Sequence, residues 1–265
     1  MQVVKVIEHI TNWLDTYVEN SGTQGFVIGV SGGIDSAVTS VLGARTGRQL
    51  ICVEMPIHQS ANLVDRAQRH IEFLQTNFSN ITSIEVPLTN VFDGLIHVLP
   101  PVEDEALRDM ALVNARARLR MTTLYYFAAY KHLLVLGTGN KVEDFGVGFF
   151  TKYGDGGVDL SPIADLTKTE VYALGRELGV NDKILEAPPT DGLWHDDRTD
   201  EDQIGASYPK LEWAMQFSGD ENALSERERK VLTIFRKLNS SNRHKMEPIP
   251  VCRIPHAAYS GERER

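Results

Sequence analysis

Four short runs of β-branched and aliphatic residues punctuate the first half of the chain: "GFVIGV" (25–30), "LICVEM" (50–55), "ITSIEVPL" (81–88) and "LLVLGT" (133–138). Stretches with helical spacing lie between them. Strands buried on both faces and joined through helices form right-handed βαβ crossovers. The pattern therefore predicts an α/β fold, an open, doubly wound, mainly parallel sheet with helices on both faces. "SAVTSVLGARTG" stops at Gly47, "SANLVDRAQRHIEFLQTNF" opens at Ser60 as a candidate N-cap, and "VEDEALRDMALVNARARLRMTTLYYFAAYKH" is acidic at its start. In such sheets ligands bind beyond the carboxyl ends of strands, where the strand order reverses.

Behind the first run, "SGGIDS" (31–36) leads from strand to helix. A glycine turn feeding a helix presents free backbone N–H groups, which makes an anion site. Gly32 and Gly33 let the backbone approach a phosphate, and Ser31 and Ser36 add hydroxyl donors. The turn lacks the Gly-Lys-Ser/Thr of a Walker A loop. It also lacks the third glycine of the dinucleotide fingerprint, and no acidic residue is read as closing the second strand where that fingerprint requires one. Two glycines alone fit a packing turn equally well. Asp35 shifts the balance, because a carboxylate beside a phosphate calls for a divalent cation between them, and Mg²⁺ takes one or two carboxylates plus phosphate oxygens.

After the fourth run, "GNKVEDFGVGFFTKYGDGGVDLSPIADLTK" (139–168) holds six glycines in 30 residues. A connection this long and rich in glycine is expected to be functional, with 141–157 forming a mobile lid that excludes water. Thr167 caps the next helix, "TKTEVYALGRELG". A proline-marked loop with an acidic helix start (187–217) and a last helix around 225–239 follow.

"SGGIDS" resembles the SGGxDS loop of the ATP pyrophosphatases, which cleave ATP to AMP and pyrophosphate. "NARARLRM" (114–121), "GFFTKYGDGGVDLSPIADLTK" (148–168), "EAPPTDGLWHDDRTDEDQIGASY" (186–208) and "HK" (244–245) are similar in order and spacing to the motifs of NAD synthetase, and the resemblance spans nearly the whole chain. It implies an adenine nucleotide alpha hydrolase-like fold and a single synthetase domain over 1–265, without a separate glutaminase domain. It further implies amidation of deamido-NAD with ammonia at the expense of ATP, through an NAD-adenylate, in a homodimer that binds the dinucleotide near the subunit interface. Free ammonia is the implied nitrogen donor unless a separate glutaminase subunit supplies it.

The same resemblance assigns roles. Gly29, Val30, Ser31, Gly32, Gly33, Ile34, Asp35, Ser36, Thr138, Lys168 and Thr190 would bind ATP, and Asp35 and Glu143 would hold Mg²⁺. Arg120, Lys152, Asp159, His244 and Lys245 would contact deamido-NAD. Asp35, Lys152 and Lys168 would be catalytic. The chemistry suits these residue types: a nicotinate carboxylate is a poor electrophile until adenylylated, and joining it to ATP brings two anions together that positive groups must neutralise. The chain departs from the family pattern in carrying one more residue than some members between Thr138 and Phe149.

At 100° per residue, Arg116 and Arg120 share one side of their helix, while Asn114 and Arg118 share another with Leu107, Met110, Ala111 and Met121. Asn114 and Arg118 are expected in a hydrogen-bonded network on a semi-buried face, and Arg116 as a solvated or interface charge. His58 is either an adenine contact or a polar loop residue. Trp194, Tyr153, Phe149 and Phe150 either stack on a base or anchor their own loops, and "DDRTDED" (196–202) reads as a solvated acidic loop and helix start.

Composition excludes other classes. A net charge of −9 argues against broad nucleic-acid binding. No apolar run approaches the roughly 20 residues of a membrane span. The amphipathic N-terminus is not a signal peptide, and two dissimilar cysteines, Cys52 and Cys252, suggest neither a disulfide framework nor a metal site, so a cytoplasmic setting is expected. The pairing of Cys252 with His256 reads as an ordinary thiol in a C-terminal segment. The alternatives are a tRNA-modifying ATP pyrophosphatase, which should show a basic surface, and a non-catalytic nucleotide-binding regulator, which has no reason to keep Asp35, Glu143, Lys152, Asp159 and Lys168 together.

Overall fold

The computed structural model describes residues 1–190, 193 and 199–255. Strands β1 (Gly25–Gly29), β2 (Gln49–Glu54), β3 (Ile81–Glu85) and β4 (Leu134–Val135) form one parallel sheet in the order β3-β2-β1-β4. The order reverses at β1, which opens a crevice beyond the carboxyl ends of β1 and β4. The fourth run yields only a two-residue strand. Beyond it, Leu136 bridges to Leu160, and Gly137 N donates to Leu160 O at 2.7 Å.

Side-chain alternation sorts the core into two layers. Phe26, Ile28, Leu50 and Cys52 point to one face, where they pack against α1 (Val3–Ser21), α2 (Ile34–Arg45), α3 (Ala61–Asn77) and α6 (Lys168–Glu177). Val27, Ile51, Val53 and Val135 point to the other, against α4 (Thr89–Val98) and α5 (Glu105–Lys131). Burial on both faces is why β1 and β2 read as continuous apolar runs, whereas the edge strand β3 has no fully buried residue, against the expectation of a buried strand there. A third cluster joins a π-helix (Val142–Val147) to α8 (Asp200–Ile204), α9 (Tyr208–Gln216) and α10 (Glu226–Met246), while a short α7 (Asp182–Leu185) follows α6.

Local signals explain most of the boundaries. The α1 stripe Ile7, Ile10, Leu14 and Val18 is buried, and the helix ends at Gly22 with φ 68°. Asp104 accepts from Leu107 N at the start of α5, and Thr167 with Glu170 forms a capping box on α6. Ser60 does stand at the N-cap of α3, but its side chain makes no capping bond. Among the described residues no helix is long and apolar enough to cross a membrane.

Candidate active site

A cleft of about 250 Å³ opens at the switch point. Its floor is the glycine turn: Ser31 Oγ lies 3.1 Å from Ser36 Oγ, Gly33 N donates to Ser31 Oγ at 3.2 Å, and Ser36 Oγ donates to Gly33 O at 3.0 Å. Gly33 caps α2 without a side-chain bond, which leaves first-turn N–H groups facing the cleft. The two glycines do different work. Gly32 has φ 80°, and a Cβ there would meet the α3 backbone at Leu63 O, 2.7 Å away, so it is required by packing. Gly33 leaves open space, with only Ser31 Oγ at 3.4 Å, and it is the one that gives a ligand close access to the backbone.

Lys168, the first residue of α6, is 3% exposed and sits between two carboxylates. Its Nζ donates to Asp35 Oδ2 at 2.6 Å and to Glu143 Oε1 at 2.8 Å. Asn140, wholly buried, donates to Asp35 Oδ1 at 3.1 Å while its own carbonyl accepts from the Val142 and Glu143 amides, tying Asp35 to the start of the π-helix. The Tyr208 hydroxyl donates to Glu143 Oε1 at 2.5 Å and lies 3.3 Å from Asp200 Oδ2, and the Lys168 ammonium stands 4.8 Å over the Tyr208 ring.

Charge follows from this geometry. Burial alone would strip the Lys168 proton, but the charges of Asp35 and Glu143 hold it firmly on, so the ammonium is permanent. Burial pushes Glu143 up, yet the Lys168 charge and the bonds from Lys168, Tyr208 and Asn140 outweigh it and leave its carboxyl below the usual range. For Asp35 burial wins, reinforced by Glu143 and only partly offset by Lys168, and its carboxyl lies above the usual range. Burial also pushes the Tyr208 phenol up, with help from Glu143 and Asp200, so it stays a neutral donor.

Two carboxyl groups share one ammonium at the glycine-turn end of the cleft, so a polyphosphate entering there would meet acidic groups unless a further cation lay between them. Asp35 and Glu143 both face one ammonium, and carboxylate oxygens are donors of the kind a hard divalent ion takes. Among the described residues no third His, Cys, Asp or Glu joins them in a cage. That suits Mg²⁺, which takes few protein carboxylates and completes its shell with phosphate oxygens and water.

All but one of the residues marked in the sequence fall into two groups. Gly29 through Ser36, Thr138, Glu143, Lys168 and Thr190 line the cleft, as does Arg120, which donates to Met55 O at 3.2 Å and to Gln59 Oε1 at 2.8 Å. Lys152, His244 and Lys245 gather instead at the end of α10. There, Lys152 Nζ donates to His244 O at 2.5 Å, and Lys245 Nζ donates to Phe150 O at 2.7 Å. Asp159 belongs to neither group: Tyr125 and the Val135 amide hold its two oxygens at 2.9 and 2.8 Å.

Several expectations are corrected. Glu54 does close β2, lines the cleft, and lies in register with Glu85; burial and that neighbour raise its carboxyl above the usual range. Arg116 is not a surface charge. It is 4% exposed, with its guanidinium 4.7 Å over the Phe92 ring and a hydrogen bond to Leu193 O. Asn114 does enter a network, accepting from Thr151 Oγ1 at 2.6 Å, but Leu107, Met110 and Arg118 are exposed in the single chain, so their face is not semi-buried. His58 is a loop residue with φ 49° whose Nε2 meets Asp93 Oδ1 at 2.7 Å outside the cleft. Phe149 lines the cleft, whereas Phe150 lies 5.1 Å beneath the Lys245 ammonium and Tyr153 is exposed. Trp194, residues 196–198 and His256 lie outside the described residues.

The segment 141–157 is not an open loop. It begins as the π-helix, and its carbonyls are bonded by α10 side chains. The wider π-turn lies immediately around Glu143, within the stretch between Thr138 and Phe149. Asn140 and Tyr208 carry the site with no signal in local sequence pattern, whereas Asp200, expected in a solvated acidic stretch, starts α8 at 5% exposure beside the Tyr208 hydroxyl.

A glycine turn at the switch point of a parallel sheet, with an acidic pair and a buried lysine above it, defines the chain as a nucleotide-binding α/β protein of the adenine nucleotide alpha hydrolase-like fold. Comparison with known proteins narrows this class. The model of the NAD synthase family matches residues 6–249, and the chain belongs to that family. It is 37% identical to the NH(3)-dependent NAD(+) synthetase of Alkaliphilus metalliredigens, over 94% of this chain and 99% of the relative. It is 33% identical to that of Sulfurisphaera tokodaii, over 97% and 92%. Among solved structures, the NMN synthetase from Francisella tularensis superposes with a TM-score of 0.82 at 29% identity, covering 97% of this chain and 99% of that one. The NH3-dependent NAD synthetase from Campylobacter jejuni, solved with the nitrate ion, gives 0.76 at 26% identity, covering 96% and 100%.

Proposed function

We propose that the protein is an ammonia-dependent NAD synthetase that converts deamido-NAD, ATP and ammonia into NAD, AMP and pyrophosphate through an acyl-adenylate. The observation that carries this reading is Lys168 held between Asp35 and Glu143 at the head of α2. The α2 N–H groups and the Ser31 and Ser36 hydroxyls would receive the β- and γ-phosphates, and the fixed Lys168 charge would stabilise the pyrophosphate as it leaves. Asp35 and Glu143 would hold Mg²⁺, which, when bound, neutralises phosphate charge so that two anions can approach. Arg120, on the cleft wall, and the Lys152–His244–Lys245 group at the end of α10 would orient deamido-NAD, with Asp159 as a further contact.

The homodimer belongs to the same proposal. It is supported by the exposed apolar side chains of Leu107, Met110, Tyr126 and Tyr130 along α5, more than a solvated helix normally shows. Two free cysteines fit a reducing, cytoplasmic setting.

Incubation with deamido-NAD, ATP, Mg²⁺ and an ammonium salt should give NAD, AMP and pyrophosphate in equal amounts; ADP and phosphate would overturn the adenylylation. The higher TM-score to the NMN synthetase supports a second reading, in which the same amidation acts on the mononucleotide, deamido-NMN. The ratio of kcat/KM for the two substrates decides between them.

A further inference from the structure

The π-helix that carries Glu143 ends on carbonyl groups with no partner of their own. Its cap residue, Gly148, takes φ 65° and returns its N–H to Glu143 O, and Phe149 N donates to the same oxygen at 2.8 Å. The carbonyls of Gly146 and Val147 are thereby left pointing outward, in the position of the unsatisfied groups at any helix end. Side chains of α10 meet them in sequence. Asn239 Nδ2 donates to Gly146 O at 2.8 Å and approaches Phe145 O at 3.4 Å, and Asn242 Nδ2 donates to Val147 O at 2.9 Å. Three positions separate these asparagines, so both lie on one face of α10, and Lys245, three further on, continues the series to Phe150 O. The fit is close. A Cβ on Gly148 would meet the Asn242 Cβ at 2.4 Å, and one on Gly146 would meet the Met215 sulfur at 2.8 Å.

An α-helix over these residues would satisfy more of its own carbonyls and would turn Glu143 by a different angle. The wider turn therefore needs external donors to persist. We infer that Asn239 and Asn242 are positioning residues: they hold the one-residue-wide turn open and so place Glu143 on Lys168, without themselves touching a substrate. The inference rests on the reading of Glu143 as part of the ATP and cation site, and it deepens that reading by identifying what sets the carboxylate's position. It also puts the Glu143 support and the His244–Lys245 pair on one helix.

The test is Asn242→Asp, which keeps the side-chain shape but removes the donor, alongside Asn242→Ser, which keeps a shorter donor. Binding of ATP and Mg²⁺ to the intact protein is followed calorimetrically across Mg²⁺ concentrations, together with thermal unfolding. Asn242→Asp should raise the half-saturating Mg²⁺ concentration about fivefold, the scale of one lost hydrogen bond, and Asn242→Ser should recover part of it. A lowered melting temperature with Mg²⁺ and ATP binding within twofold of the parent would make the asparagine merely structural and overturn the inference. Binding needs no turnover. A parent protein that binds ATP and Mg²⁺ but makes no NAD would refute the proposed activity and still leave this comparison decisive, whereas a parent that binds neither overturns both.

Discussion

Lys168 Nζ lies 2.6 Å from Asp35 Oδ2 across 133 positions of sequence, with the lysine side chain 3% and the aspartate 17% exposed. A buried cation shared by two carboxylates is more costly to lose than to possess, because its removal strands two negative charges in a poorly solvated site. Lys168→Ala should therefore reduce unfolding free energy by about 3 kcal/mol or more, measured in urea, as well as lowering turnover about a hundredfold. Added Mg²⁺ should restore more stability to this variant than to the parent, since the freed carboxylates accept the ion. Equal stability of variant and parent would show that the trio is not the buried charge centre described.

Tyr208→Phe isolates the support behind Glu143. The ring, with its contact to the Lys168 ammonium, stays, and only the hydroxyl bonded to Glu143 at 2.5 Å is lost. Hydrogen bonds to charged groups contribute roughly 1.5–3 kcal/mol, so kcat/KM for ATP should fall about tenfold or more with the fold retained. Steady-state kinetics with ATP varied checks this, and an unchanged kcat/KM would remove Tyr208 from the site.

How much of this was legible follows from the range of each signal. Apolar periodicity is local, and it located all four strands and the long helices. Thr167 was recognisable as a cap because its partner Glu170 is three residues away. The "SGGIDS" turn pointed to the cleft, and the family resemblance to Asp35, Glu143 and Lys168. The meeting of Tyr208 with Glu143 and of Asn242 with Val147 depends on how α9 and α10 fold back, which no local pattern encodes. Helical phase put Arg116 and Arg120 on one side correctly, but phase cannot tell that Phe92 waits there to cover a guanidinium. Glu54 was hidden by being counted among the residues of an apolar strand and not as its end.

Arg116 and Arg118, two residues apart, should respond very unequally to truncation. Arg116→Ala removes a buried guanidinium stacked on Phe92 and bonded to Leu193 O, and it should cost about 2 kcal/mol or more of stability. Arg118, exposed and 3.4 Å from Lys152 O, should change the stability of the single chain by no more than about 0.5 kcal/mol when replaced by Ala. Paired denaturation curves decide the matter, and a larger loss at Arg118 would mean that the helix phase is wrong.

Acid should weaken the fold through His70. The ring is 1% exposed between α2 and α3, and Nε2 lies 2.8 Å from Ser40 Oγ. Ser40 Oγ already donates to Ala37 O at 2.9 Å, so the imidazole supplies the proton of the Ser40–His70 bond from Nε2 and keeps Nδ1 bare, buried with no hydrogen-bond partner. Burial pushes the imidazole down to about 4, only partly opposed by the Ala37 carbonyl. The unfolded chain takes up the proton near an ordinary value of about 6.5, so between those values the unfolded state binds more protons than the folded one. The stability due to the neutral ring is therefore fully present above about pH 6.5 and is lost as pH falls toward 4, by roughly 3 kcal/mol in all. Urea unfolding at stepped pH should show that decline, and His70→Asn, which cannot protonate, should flatten it over the same window. A parent and variant with parallel pH profiles would mean that His70 is protonated in the folded protein.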